Sequence, residues 1–428
     1  MPSAETCALT SNKHWRKTSI DMASHRPVTF ILLMVVVGLN LRPAMSSVAP
    51  LLTRLQESAG LSATAAGLLT TLPVLFLGLS APLAPTLAKR LGSERALSAA
   101  LILLAAGLVL RGLPLPGVLF VGSAMAGCAI GIGGTLLPAL VKRELPESAD
   151  LLTGLYTMAL CLGGALGAGL SVPLTQWLGS WQASLMSWSL LALFALVLWH
   201  FQMPRAILPN TPNLPKSGLL RLLKQPLTWH VMLFMGIQSS MAYIVFGWLP
   251  TLLVDRGYNE ADAGWTMAVS IMCQLASALG APWLARLGQD QRPALLLVLL
   301  STGVGLWMLL IAPLMWKWPG AALLGIGQGG SFSLALSLLV LRTATSRLAG
   351  QLSGLVQGGG YTLAALGPFG VGIMLQTGAS TSHIAWLLIA LIIVCGGFAL
   401  LAGRNRYLDD QSGTLVVERA KPRLLINR

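Results

Sequence analysis

The sequence predicts an all-α membrane protein, with twelve transmembrane helices arranged as two pseudo-symmetric six-helix bundles. Three observations carry this prediction. Only 10% of the 428 residues are charged and 55% are hydrophobic, whereas soluble domains carry about 25% charged residues. Twelve apolar stretches, each long enough to cross a bilayer, follow one another along the chain. The second six repeat landmarks of the first at offsets of 196 to 200 residues.

Residues 1–27 form a basic, polar tail containing Lys13, Arg16, Lys17 and Arg26. The apolar run after it is too long for a cleaved signal and has no small-residue cleavage site, so it reads as a retained first span. Met22 is an alternative start. The first bundle, 28–203, holds stretches at about 28–52, 63–88, 95–113, 117–141, 151–175 and 183–203. The weakest boundary is the third-to-fourth, marked only by residues 113–117. A linker, 204–228, follows with Pro204, Pro209, Pro212 and Pro215 and the basic Lys216, Arg221 and Lys224. The second bundle, 229–403, holds stretches at about 229–254, 263–286, 293–312, 319–341, 351–375 and 384–403. Residues 404–428 close the chain as a second tail.

The repeat is read from matched landmarks. Pro50-Leu51-Leu52 matches Pro250 with Leu252 and Leu253, and Ala66-Gly67 matches Ala263-Gly264. Gly154-Leu155 and Ala165-Leu166-Gly167 recur 200 residues later. Transporters built from two such repeats bind their solute near mid-membrane, between the halves.

Charge fixes the expected orientation. With both termini inside, thirteen basic residues fall in cytoplasmic loops and four (Arg54, Arg111, Arg256 and Lys317) in outer ones. That asymmetry obeys the positive-inside rule, so the net charge of +14 marks topology and gives no reason to expect nucleic acid. The fourteen acidic residues are all placed in loops or tails, and the histidines at 14, 25, 200, 230 and 383 avoid mid-span.

One charge breaks this pattern. Arg42 sits within Gly38-Leu39-Asn40-Leu41-Arg42-Pro43-Ala44-Met45-Ser46-Ser47, about 20 Å into the first span at helical rise. A charge there is costly and generally functional. Pro43 cannot donate to the Leu39 carbonyl and biases Arg42 away from helical geometry, so Asn40, that carbonyl and Arg42 are expected to share a polar pocket. With no carboxylate expected at its depth, Arg42 calls for an anion, another strong acceptor or, in an open cavity, water. The structural alternative is a strut bonded to carbonyl groups.

Glycines four apart on spans four, five, ten and eleven (Gly127/Gly131, Gly163/Gly167, Gly325/Gly329 and Gly354/Gly358) are expected to let backbones approach closely. Gly325-Ile326-Gly327-Gln328-Gly329-Gly330 fits G-x-G-x-x-G, but it lies in a membrane run with no preceding strand, so no dinucleotide is expected. No cofactor or metal is expected. The five cysteines have no ligand spacing, and neither a phosphate-binding loop nor a catalytic set is present. The chain does not read as an enzyme.

The run from Gly38 to Leu52 resembles the cyanate transporter and 2-nitroimidazole transporter group of the major facilitator superfamily. Gly247-Trp248-Leu249-Pro250, Gly257-Tyr258-Asn259-Glu260-Ala261-Asp262-Ala263-Gly264 and Leu352–Gln357 with Gly360-Tyr361 and Leu366-Gly367-Pro368 extend the resemblance. It covers residues 28–403 and implies the major facilitator fold, alternating access, and a multi-pass place in a bacterial inner membrane with both termini cytoplasmic. The superfamily's loop between spans two and three carries an aspartate before Arg-x-Gly; here Lys89 precedes Arg90-Leu91-Gly92. Another pair, from Glu94 or Arg95, is expected to replace the usual gate.

The expected solute site combines Asn40 and Arg42 with Gln238, Ser239, Tyr243 and Trp248 of span seven and Gln357 and Tyr361 of span eleven. Pro43, Lys89, Arg90, Gly92, Gly163, Gly167, Gly354 and Gly358 are assigned to gating and packing. A small anionic or polar solute, cyanate-like, is the leading expectation. Export of a nitroimidazole-like drug or aromatic metabolite is the alternative, and a non-transporting sensor is the rival of another class. The chain is expected to act as a monomer in the lipid bilayer.

Overall fold

The computed structural model describes residues 28–144, 149–202, 221–284, 290–411 and 414–419. The expected tail 1–27 and most of the linker lie outside these residues. Twelve helices are long and apolar enough to span a membrane. Spans 1 to 6 are Val28–Ala59, Ala63–Leu91, Ser93–Leu110, Gly117–Val141, Leu155–Leu178 and Trp181–Gln202. Spans 7 to 12 are Pro226–Asp255, Glu260–Ala281, Arg292–Leu310, Leu314–Leu341, Leu348–Gln376 and Thr381–Ala402.

Packing divides them as the repeat does. In the first half span 4 lies against spans 2 and 3, and span 6 against spans 3 and 5. In the second half span 10 lies against spans 8 and 9, and span 12 against spans 7 and 9. The halves meet chiefly through span 2 on span 11 and span 5 on span 8, a pairing that the internal two-fold exchanges.

Local chemistry sets the helix ends. The Ser62 and Thr345 hydroxyls accept from the backbone N–H groups of Ala65 and Leu348, capping spans 2 and 11. Gly92 closes the turn between spans 2 and 3 at φ +84°, a conformation that strains any residue with a Cβ. Span 1 is interrupted by two prolines. Its helix gives way at Arg42 to a short segment, Pro43–Ser46, then a 3₁₀ turn, Ala49–Leu51, before Leu52–Ala59 resumes.

Glycine pairs on three spans do what close packing requires. A Cβ on Gly127 or Gly131 would overlap Pro73 or Leu77 of span 2. On Gly163 it would overlap the Leu39 carbonyl, and on Gly167 it would fall 2.9 Å from the Pro43 Cα. The fourth pair differs from expectation. Gly354 has no neighbour within 4 Å, and Gly358 has only the Pro82 ring at 3.6 Å. That face of span 11 is only loosely packed.

Two charge placements also depart from the sequence reading. Glu94, expected in a loop, lies in the first turn of span 3, fully buried and paired with Arg143. Arg111, expected in an outer loop, is fully buried and donates to the Ala44 carbonyl and the Ser123 hydroxyl. Both mark the ends of the 18-residue span 3, which draws them inside the bundle; Glu94 Oε2 and Arg111 Nη2 have no partner there among the described residues.

The second tail is not plain coil. Strands β1 (Arg406–Gln411) and β2 (Thr414–Arg419) form an antiparallel hairpin. Leu408 bonds the loop after span 10 in both directions: its N–H donates to the Arg342 carbonyl and its carbonyl accepts from Ala344, each at 2.9 Å. Arg342 is buried beneath and donates to the Ala402 carbonyl. Burial pulls its guanidinium down to about 10, still charged at neutral pH.

Candidate functional site

Arg42 is half-buried midway along span 1. Its backbone stays in the right-handed helical region, at φ −89° and ψ −30°, contrary to the bias expected from Pro43. The chain keeps this geometry because the Arg42 carbonyl is well satisfied. It accepts from the N–H groups of Met45 and Ser46 at 3.0 and 3.1 Å and from the Ser46 hydroxyl at 3.2 Å. The Leu39 carbonyl, which Pro43 leaves without its helical donor, faces Gly163 of span 5 and stays out of the pocket.

The Arg42 side chain reaches across to the second half. Its guanidinium carbon lies 5.3 Å from the centre of the Phe246 ring of span 7, within cation–π range. Its Nη1 donates to Gln274 Oε1 of span 8 at 3.5 Å, the long limit of a hydrogen bond. Among the described residues no carboxylate lies within ion-pair distance of it.

Behind Gln274 stands Gln328 of span 10; both are buried, at 6% and 5% exposure. Gln274 Nε2 donates to Gln328 Oε1 at 3.4 Å, and Gln328 Nε2 has no partner among the described residues. The sequence reading missed both glutamines. An available signal was two amides in apolar spans, one of them inside the glycine cluster read only for packing.

The expected site residues divide. Tyr243 and Tyr361 stack edge to face at 6.3 Å, and Tyr243 lies 6.4 Å from Phe246. These rings form an aromatic wall beside Arg42. Next to them a shallow, open-sided cleft is lined by Met45, Thr70, Tyr243, Phe246 and Gly247 among others. The remaining residues are turned to internal bonds. Asn40 donates to its own helix at the Val36 carbonyl, 2.7 Å. Gln238 donates to the Ser239 hydroxyl at 2.7 Å, and both are buried. Trp248, fully buried, donates to the Pro368 carbonyl at 2.9 Å and braces span 7 against span 11. Gln357 donates to the Ser353 hydroxyl at 2.6 Å.

Lys89 and Arg90 are exposed in the last turn of span 2. The ion pair of this region is Glu94 with Arg143, and Trp199 Nε1 donates to the Glu94 carbonyl at 3.2 Å. All three groups belong to the first half, so this pair holds one bundle together and does not bridge the two.

The bridge lies at the opposite end. Arg54 Nε and Glu260 Oε2 are 2.6 Å apart, joining span 1 to span 8. There a Cβ on Gly67 would sit 3.0 Å from Gly372, one on Gly264 2.8 Å from the Ala168 carbonyl, and one on Gly169 2.9 Å from the Trp265 ring. Along spans 2 and 11 toward the end that bears the chain termini the contact loosens. Gly78 would meet Tyr361 and Thr362 at 3.1 and 3.2 Å, Gly358 meets Pro82 only at 3.6 Å, and Gly354 meets nothing. The halves are closed at one end and splayed at the other.

Two helical halves, joined at one end and parted at the other, around a cation, amides and aromatic rings at mid-height define a membrane transporter. The family model described as Major Facilitator Superfamily matches residues 30–368, and the chain belongs to that family. It is similar to the 2-nitroimidazole transporter of Escherichia coli (strain K12), 35% identical over 394 residues, 91% of this chain and 98% of that protein. It is also similar to the cyanate transport protein CynX of the same organism, 32% identical over 371 residues, covering 85% and 94%. Among solved structures the nucleoside transporter NupG superposes with a TM-score of 0.73 at 11% identity, covering 87% of this chain and 99% of that one, which is a likeness of fold. The chain is therefore a multi-pass inner-membrane transporter of a small solute and is not an enzyme.

Proposed function

We propose that the solute is a small anion, cyanate-like in size and charge, bound at Arg42 and moved by alternating access between the two halves. The observation that carries this reading is the half-buried mid-span cation whose polar side-chain partner is one long bond to a neutral amide. A half-buried cation without a counter-charge is under-solvated, and an anion entering the gap would offset that. The 32% identity to a cyanate transport protein supports the same reading. A neutral heteroaromatic is the second reading, favoured by the Phe246–Tyr243–Tyr361 wall and by the identity to a 2-nitroimidazole transporter.

The basic-loop count supports a cytoplasmic position for both termini. With that orientation the splayed end faces inward, and the Arg54–Glu260 end is the closed outer face. Energy coupling through a mid-span carboxylate is not part of the proposal, because the acidic side chains of the described residues lie toward the span ends.

Counterflow of radiolabelled cyanate in proteoliposomes tests the anion site, with Arg42→Gln and Arg42→Lys as variants. Loss of a buried charge-assisted contact costs about 2–5 kcal/mol, so Arg42→Gln is expected to lower cyanate affinity at least about thirtyfold while the protein stays folded. Lysine lacks the planar fork and is expected to restore little of it. A folded Arg42→Gln protein with wild-type cyanate affinity would overturn the proposal. Lost folding in Arg42→Gln, with residual affinity intact, would mark Arg42 as a strut.

A further inference from the structure

We infer that Gln274 is a second solute-contacting residue, and that Gln328 positions it, the two amides acting together as a reversible filter for negative charge. The inference rests on the anion-site reading of Arg42.

Gln274 occupies the side of the guanidinium that faces the second half, yet its bond of 3.5 Å leaves Arg42 under-satisfied. A carbonyl oxygen in that place is compatible with an empty site and hostile to an occupied one, since an anion on Arg42 would meet an acceptor. An amide resolves the conflict by turning through half a rotation. Nε2 then takes the place of Oε1 and donates to the anion.

The turn requires a partner on the far side that can reverse as well. In the present arrangement that partner accepts from Gln274 Nε2; after the turn it must donate to Gln274 Oε1. An amide can do both by reversing, and Gln328 is one. Its buried Nε2 now lacks a partner. After both amides reverse, that Nε2 donates to Gln274, and the group left over is an oxygen. A buried acceptor without a partner is tolerated better than an orphaned donor, so Gln328 favours the solute-bound arrangement.

The glycine cluster brings the amides together. A Cβ on Gly325 would overlap the Ser270 carbonyl, one on Gly327 would overlap Thr302 of span 9, and one on Gly329 would overlap the Gln274 carbonyl. Spans 8 and 10 are thereby in backbone contact on both sides of Gln328. The G-x-G-x-x-G run has this packing use. Neutral solutes gain nothing from the reversal, and cations are repelled by Arg42.

The test measures cyanate and 2-nitroimidazole binding to the purified full chain by ligand-dependent thermal stabilisation. The variants are Gln274→Met, Gln328→Met, their double, Gln274→Glu and Arg42→Gln. Methionine keeps length and volume while removing both polar atoms. Gln274→Met is expected to weaken cyanate binding roughly ten- to hundredfold, the range of a bond to a charged group. Gln328→Met is expected to weaken it about three- to tenfold, and the double variant no more than Gln274→Met alone, because Gln328 acts through Gln274. Gln274→Glu, which pairs with Arg42, is expected to abolish cyanate binding. Binding of 2-nitroimidazole should change less than about threefold throughout, on the additivity expected of an uncoupled site.

Cyanate affinity unchanged in Gln274→Met or Gln274→Glu, or additive losses in the double variant, would overturn the filter while leaving Arg42 in place. Cyanate binding unchanged in Arg42→Gln, or absent from the wild type, would overturn the anion site and the filter with it. Equal losses for cyanate and 2-nitroimidazole would assign the glutamines to packing and overturn the filter.

Discussion

The Arg54–Glu260 pair should hold the outer face closed, and its removal should shift the protein toward the conformation open at that face. The two residues belong to different halves, so their contact exists only while spans 1 and 8 are together there. Arg54 Nε and Glu260 Oε2 are 2.6 Å apart, and the side chains are 35% and 23% exposed. Fully exposed pairs contribute about 0.2–1 kcal/mol. Partial burial and the short distance place this one near the top of that range, about 1 kcal/mol or about a fivefold change in the ratio of conformations. Spin labels at Glu57→Cys and Met315→Cys, both exposed sites on this face, report the separation of the halves once the native cysteines are replaced. Glu260→Gln is expected to enrich the longer distance about fivefold, and the exchanged pair Arg54→Glu with Glu260→Arg to reverse most of that change. Raising the salt concentration should mimic Glu260→Gln in part, since a half-exposed pair is screened. An unchanged distance distribution in Glu260→Gln would refute the reasoning, and so would an exchanged pair that behaves like either single variant.

Other expectations follow from the same geometry. Gly163→Ala drives a methyl into the Leu39 carbonyl and should abolish folded expression, whereas Gly354→Ala, with nothing within 4 Å, should express and melt like the wild type. Arg143→Ala strands the buried Glu94 carboxylate and should cost about 3–5 kcal/mol, while Glu94→Gln should cost clearly less; thermal melting of the two separates them. For topology, an impermeant thiol reagent on intact cells should label Asn259→Cys and leave Lys216→Cys unlabelled, and the reverse pattern would invert the orientation.

What could be read from the sequence was what periodicity and composition carry. The twelve spans, the two halves and the exceptional charge at Arg42 depend on hydropathy and on residues that the bilayer penalises heavily. The site was only half legible, because polarity within a span does not reveal which way a side chain turns. Asn40, Gln238, Trp248 and Gln357 are polar or amphipathic at suitable heights, yet each is bonded inside its own half. Gln274, equally polar, meets Arg42 across the halves and is backed by Gln328, 54 residues away in the chain, which no local pattern encodes. The hairpin was missed for a different reason. Its signal is a turn dipeptide, Ser412-Gly413, between a short run on each side, and not charge or hydropathy.

The division of polar groups between the halves bears on how binding is linked to movement. A solute shifts a conformational equilibrium only by the difference in its affinity for the two states. Arg42 belongs to the first half and accompanies the solute whichever end of the gap is open, so its contribution is largely common to both states. Gln274 lies in the second half, and its distance from Arg42 changes when the halves rotate. At 3.5 Å an anion shared by the two sits beside their contact, so its grip on both depends on how the halves are set. The amide side of the site therefore carries the differential contact. Substitutions at Arg42 should act mainly on affinity, whereas those at Gln274 should alter counterflow rate and affinity together. Equal effects of Arg42→Lys and Gln274→Met on the ratio of rate to affinity would remove the basis for this assignment.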